Sequence, residues 1–143
     1  MLPQKVRRAG VRVTQASFTV SASAIVFDDE GRVLLLEHVL RPGCGWDFGG
    51  GYLNAGENAK DAVSRELFEE AGITIRDLEL VHLATHGHHV ELIFRARHAS
   101  GEVRPSSREI LDARWFAIDE LPECVCSGRR ELIAKAAKLN KDQ

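Results

Sequence analysis

Cysteine, proline and aromatic residues are scarce in this chain, and each scarcity closes off a class of protein. The three cysteines, Cys44, Cys124 and Cys126, are an odd number and set up no disulfide framework. A reducing compartment, the cytoplasm, is therefore the expected location. Cys124 and Cys126 also lack the C-x-x-C spacing of zinc and redox sites, and Pro122 marks their surroundings as loop. They are expected to be ordinary small side chains. No apolar run approaches the roughly 20 residues that cross a bilayer, so no membrane partner is expected. Neither sign of charge dominates: 19 Lys and Arg stand against 21 Asp and Glu, for a net charge of −2. So balanced a chain gives no ground for a nucleic-acid partner. The opening MLPQKVRRAGVRV is basic and lacks acids, but no apolar segment follows it as a secretory signal requires. Residues 1–16 are read as an N-terminal arm or edge strand on a single domain spanning 1–143.

What is present is an ordinary globular composition, 44% hydrophobic and 28% charged in 143 residues. A chain of that length can bury roughly two-thirds of its unfolded surface. SFTVSASAIVF (17–27) and RVLLLEHV (32–39) flank the turn DDEG and read as a hairpin. RPGCG is loop, WDF a short strand, and GGGYLNAGE (49–57) a glycine-rich loop. Asn58 is a good N-cap, with Asp61 three residues on, and AKDAVSRELFEEA consists of helix formers until Gly72 stops it. Strands are expected at LELVHLATH and VELIFRARH, turning near Gly87, and at ARWFAI. GRRELIAKAAKLN closes the chain as an amphipathic helix. Strands outnumber helices without alternating with them, which argues for a mixed sheet with helices packed on it.

The helix holds the chemistry. Stepping about 100° per residue from Glu66 puts Glu70 near 40° and Glu69 near 300°, so three carboxylates share one arc. Val63, Leu67, Phe68 and Ala71 fill the adjacent arc, which is expected to be buried, while Ala59 and Ala62 leave room for another segment beside the acidic edge. Like charges at this spacing weaken a helix. Either the face is a solvated acidic surface, or a cation offsets the repulsion; a hard divalent ion takes such oxygen ligands beside a phosphate.

The wider spacing favours the cation. Gly51, five residues, Glu57, seven residues, then Arg65-Glu66-Leu67-x-Glu69-Glu70-x-Gly72-Ile73 complete the pattern G-x5-E-x7-R-E-U-x-E-E-x-G-U, where U is a bulky aliphatic. At average residue usage such a match arises by accident in fewer than about one chain per million. Here the chain resembles the Nudix hydrolase family. The resemblance implies an α/β (α+β) fold, an α/β/α sandwich around a mixed, mostly antiparallel, curved sheet. It also implies a divalent-metal-dependent pyrophosphohydrolase using Mg²⁺ or Mn²⁺. The substrate is a small-molecule nucleoside diphosphate linked to another moiety, such as a nucleotide sugar, ADP-ribose or an NTP, cleaved by water attack at phosphorus.

Carried over by motif position, the metal ligands are Glu66, Glu69, Glu70 and the Gly50 carbonyl. Glu57 sits close to the metal and Arg65 pairs with a neighbouring glutamate. The general base varies within the family: Glu66 is the first choice, and Glu109, six residues before Trp115, is the choice outside the motif, ahead of Glu91 and Asp112. Gly49 stands where many members have Pro, which is expected to loosen the loop. The Pro or Tyr that marks some subclasses about 16 residues downstream is absent, which counts against the ADP-ribose and diadenosine polyphosphate subclasses. Trp46 and Phe48 are candidates to stack on a base, and His86–His89 is expected to be a solvated hairpin tip. The alternative to an enzyme is a non-catalytic module that senses or binds a nucleotide ligand on the same fold. A homodimer is an open possibility, since similar proteins often form one.

Overall fold

Small and β-branched residues alternate through TVSASAIVF, which forms the central strand β1 (Thr19–Phe27) of a seven-stranded sheet in the computed structural model, described for residues 3–141. Ala22, Ala24 and Val26 face one hydrophobic layer, and Ile25 and Phe27 face the other. A strand buried on both faces needs little polar alternation, and β1 has little.

The expected hairpin closes only at its turn. β1 and β2 (Val33–His38) meet at Phe27 and Val33 and then diverge. β2 goes on to pair antiparallel with β7 (Ile110–Phe116) and, at its far end, with β3 (Trp46–Asp47). β1 instead takes β4 (Gly49–Tyr52), antiparallel, along one edge. Along its other edge it takes β6 (His89–Ser100), parallel over its whole length. β5 (Thr74–His86) completes the sheet as the expected antiparallel partner of β6, turning at Gly87 with φ 59°. The sheet is mixed, mostly antiparallel, and not closed.

Helix α2 (Ala59–Ala71) covers the face lined by Ala22, Ala24, Val26, Leu34 and Leu36. Helix α3 (Ser127–Lys141) covers the other face, burying Ile133 and Ala136 against Ile25, Phe27 and Leu35. This is the expected sandwich. The N-terminal segment departs from expectation: it is a helix, α1 (Gln4–Thr14), because Gln, Lys, Arg and Ala are stronger helix formers than strand formers. Among the described residues no helix is long and apolar enough to cross a membrane.

The cysteines also depart from expectation. Cys44, in the loop after β2, is bonded to Cys124, before α3, across a sequence separation of 80, and Cys126 alone remains a free thiol. An odd count forbids complete pairing but says nothing against one bridge. Cross-links of this kind typically contribute about 2–4 kcal/mol. Reduction is thus expected to lower the melting temperature by about 10 °C, with Cys124→Ser giving the same loss in thermal unfolding. A transition indifferent to reductant would show that the bridge contributes nothing.

Candidate active site

α2 begins and ends where its sequence dictates. The Asn58 side chain accepts from the Lys60 N–H at 2.9 Å, and Gly72, at φ 72°, donates its N–H to the Phe68 carbonyl at 3.0 Å. Its buried arc, however, is turned toward the acidic edge. Val63, Leu67 and Ala71 are buried as expected, but Phe68 is 60% exposed, while Ala62 and Glu70 are inside.

β4 explains the rotation. Residues Gly49 to Tyr52, expected as loop, are a strand hydrogen-bonded to β1, and the helix lies directly on its glycines. A Cβ on Gly51 would stand 2.6 Å from the Glu66 carboxyl, and one on Gly50 only 2.2 Å from the Ala22 carbonyl oxygen. A Cβ on Gly49 would meet Leu36 and Leu67 methyls at 2.9 Å, so this buried glycine serves packing, and the expected loosening does not arise. Side-chain-free backbone draws the glutamates onto the sheet.

Glu70 is the deepest of them, 5% exposed, with Oε1 accepting the Gly50 N–H at 2.8 Å. Burial pushes its carboxyl up to about 7 against the pull of that hydrogen bond, and repulsion from Glu66, Glu109 and Glu69 adds to the rise. Glu57 lies at the other extreme. Arg65 grips it with a fork, Nε to Oε2 at 2.8 Å and Nη2 to Oε1 at 3.0 Å, and the Asn54 N–H adds a third bond at 3.1 Å. Those bonds, the Arg65 fork first, hold the Glu57 carboxyl down at about 2. Arg65 Nη1 also donates to Glu66 at 2.9 Å and to Glu69 at 3.3 Å. The sequence promised Arg65 one glutamate; the structure gives it three.

Glu66, Glu69, Glu70 and Glu109, with Ser107 and Arg108, line one cavity of about 400 Å³. Glu109 arrives on the loop 101–109, which is tied to the end of α2 by the Ser106 N–H to the Glu70 carbonyl (2.9 Å) and the Arg104 N–H to the Ala71 carbonyl (3.2 Å). The two lesser choices for a base lie elsewhere. Glu91 pairs with Arg129 of α3 at 3.2 Å, and Asp112 pairs with Arg114 at 2.7 Å. Trp46 and Phe48 are not free platforms for a base. Phe48 is buried beneath the Arg129 guanidinium (5.2 Å), and Trp46 packs edge-on against Phe116 (5.1 Å). His86 and His88 are exposed at the hairpin tip as expected, whereas His89 is held by Thr19 (2.7 Å) and Ser21 (2.8 Å).

An all-oxygen, net-negative donor set with one carboxylate buried far from any dedicated counter-charge suits a hard divalent cation. In the rotamers seen, Glu66 turns to Arg65 and Glu70 to the Gly50 N–H. Among the described residues no three His, Cys, Asp or Glu groups stand together as ligands, so ion uptake requires these side chains to swing.

The family model for the NUDIX domain matches residues 17–136. The chain belongs to the Nudix hydrolase family. It is 39% identical over 109 residues to the NAD-capped RNA hydrolase NudC of Stutzerimonas stutzeri, covering 72% of this chain and 38% of that protein. The protein of the same name from Pseudomonas syringae pv. syringae is 37% identical over 106 residues, with the same coverage. The chain thus spans well under half the length of these curated relatives. Among solved structures, a MutT NUDIX hydrolase from Burkholderia pseudomallei superposes with a TM-score of 0.71 at 30% identity, over 82% of this chain and 96% of that one. A NUDIX hydrolase from Nitrosomonas europaea, at 22% identity, shares the fold with a TM-score of 0.75 over 90% and 74% of the two chains.

The relatives' names include an RNA, so the expectation that nucleic acid is an unlikely partner is not borne out. A near-zero net charge argues against binding along many backbone phosphates. It carries no weight against recognition of a chain end, where few phosphates are touched.

Proposed function

We propose that this Nudix protein is a Mg²⁺- or Mn²⁺-dependent hydrolase that cleaves the diphosphate of a nucleoside diphosphate linked to a second moiety. The observation that carries the reading is the single cavity lined by Glu66, Glu69, Glu70 and Glu109, with Glu70 buried beneath it. In this reading Glu66, Glu69, Glu70 and the Gly50 carbonyl hold the cation. When bound, it neutralises charge developing on the phosphoryl oxygens and acidifies a water. Arg65 holds Glu57 through its fork, and its Nη1 pairs with Glu66 and Glu69 until the cation draws them away, as it draws Glu70 from the Gly50 N–H. Glu57, kept ionised by that fork, anchors Arg65 and is not itself among the residues lining the cavity. Glu66 is the favoured base and Glu109 its rival, since both reach the cavity.

The cytoplasmic location expected from an unpaired set of cysteines loses that support with the Cys44–Cys124 bridge and rests on nucleotide substrates alone. Every group named belongs to one chain, so the reading does not require a dimer. The relatives' names add a dinucleotide cap on RNA to the substrates worth testing. The deciding experiment incubates the protein with NADH, ADP-ribose, nucleotide sugars, NTPs and NAD-capped RNA, with Mg²⁺ or Mn²⁺, and resolves products by mass. Two products are expected, both monophosphates from a linked diphosphate and a nucleoside monophosphate with pyrophosphate from an NTP, with ¹⁸O from water on one of them. Binding of nucleotide without turnover on any member would replace the hydrolase by a sensing module.

A further inference from the structure

A second cavity, of about 330 Å³, opens beside the glutamates and is lined by His38, Leu40, Arg41, Pro42 and Glu109. Glu109 lines both cavities, so a molecule whose diphosphate lies at the glutamates extends into the second one. The wall of this second cavity is residues 38–45, and it is built rather than slack. The His38 N–H bonds to the Gly45 carbonyl at 2.8 Å, and the Val39 N–H to the Glu109 carbonyl at 2.9 Å. Arg41 is ion-paired with the buried Asp47, which Arg129 also holds at 3.2 Å. The Cys44–Cys124 bridge anchors the far end. Upon this tethered frame stands Leu40, 88% exposed, with Pro42 beside it. A leucine left open on a loop fixed at four points has no packing role in the chain itself.

The polar groups narrow the occupant. Arg41 is already neutralised by Asp47, and Glu109 repels anions, so a further phosphate is unwelcome there. His38 Nε2 lies 3.2 Å from the Phe48 carbonyl, which can only accept, so this nitrogen carries the proton and Nδ1 is left an acceptor. The cavity therefore offers apolar faces together with acceptors, and no free cation among its lining residues.

We infer that this cavity receives the moiety beyond the scissile diphosphate, and that it fits a nucleoside, a flat uncharged ring bearing N–H or O–H donors, in preference to a phosphate or a sugar alone. The inference rests on the hydrolase reading and deepens it, selecting dinucleoside-type substrates over NTPs.

The test compares diadenosine diphosphate, ADP-glucose and the methyl ester of ADP on the wild type, Leu40→Asp and Leu40→Met, each with Mg²⁺. An exposed side chain can be exchanged without disturbing the fold. Leu40→Asp is expected to raise KM for diadenosine diphosphate at least tenfold, through lost apolar contact and a charge set beside the ring, with kcat within twofold and a smaller rise in KM for the other two substrates. Leu40→Met is expected to behave as wild type. Equal changes for all three substrates, or none for diadenosine diphosphate, overturn the assignment; a change as large for ADP-glucose overturns the preference for a nucleoside. If the wild type cleaves none of them but cleaves an NTP, the preference for a nucleoside fails and the hydrolase reading stands; if it cleaves no member of the wider panel either, the hydrolase reading fails by itself. Calorimetric titration with diadenosine diphosphate then decides the cavity: weaker binding to Leu40→Asp supports it, and equal or absent binding overturns it.

Discussion

Glu70→Gln is expected to abolish metal-dependent turnover and, in the metal-free protein, to raise stability, more so at pH 8 than at pH 5. The two effects share one cause. Glu70 is 5% exposed, and burial pushes its carboxyl up to about 7 in the folded chain, against an ordinary value of 4.5. Because the folded pKa lies above the unfolded one, the stability linked to this proton is fully present below about pH 4.5. It is lost as pH rises through 7. One pKa step is worth about 1.4 kcal/mol, so at pH 8 the ionised Glu70 costs on the order of 3 kcal/mol. Glutamine is neutral throughout, fills the same space and can still accept the Gly50 N–H, so the variant escapes that cost. Its advantage should shrink toward zero near pH 4.5.

Adding Mg²⁺ should reverse the ranking. A ligand that binds only the folded state stabilises by RT ln(1 + [L]/Kd). The wild type gains this and the variant loses an anionic ligand. Turnover is expected to fall at least a hundredfold, mostly in kcat. Thermal melts at pH 5 and 8, with chelator and with Mg²⁺, together with steady-state rates, check all four corners. Wild-type turnover in Glu70→Gln would remove Glu70 from the site; a stability difference flat with pH would remove the buried charge.

How much of this was legible without coordinates depends on how local the cause is. The α2 helix could be read from Asn58 to Gly72 because its caps are set by residues within four positions of each end. That the three glutamates of the helix share one arc followed from spacing, while their role as ligands and the choice of Glu109, six residues before Trp115, came from the resemblance to the family. Pairings between distant segments left no such mark. β1 runs parallel to β6 about 70 residues later, and nothing in SFTVSASAIVF distinguishes a hairpin arm from a central strand buried on both sides. β4 was hidden because glycine is a poor strand former, yet there the missing side chains are what let α2 approach. The misjudged helix face has the same origin. Period alone placed Phe68 inside and Glu70 on the edge, but the rotation is set by the glycine strand beneath, which a helical wheel does not contain. The Cys44–Cys124 bridge is likewise a matter of two loops meeting in space, and counting cysteines could not find it.

The glycine strand also yields the second large expected effect, and neighbouring positions should fail in different ways. Gly50→Ala places a methyl 2.2 Å from the Ala22 carbonyl and 2.5 Å from Ser23 Cα, both backbone atoms in the middle of the central strand, at a φ of 156°. Neither atom can move without opening the β1–β4 ladder, so a loss above about 4 kcal/mol is expected, at the far end of the range for single substitutions. Gly51→Ala meets instead the Glu66 carboxyl at 2.6 Å, the end of a flexible side chain. This variant should fold, since Glu66 can swing away at the expense of its 2.9 Å bond to Arg65, but the displaced carboxylate should cost most of the activity. Gly56→Ala provides the control: its φ of 78° strains any L side chain, but nothing lies within 4 Å of the added methyl. It should lose only about 1 kcal/mol and keep its turnover. Denaturant melts and rates on the three proteins separate the cases. If Gly50→Ala and Gly51→Ala were equally stable, the close packing of β4 against β1 would be wrong. Bare backbone would then not be what draws the glutamates together.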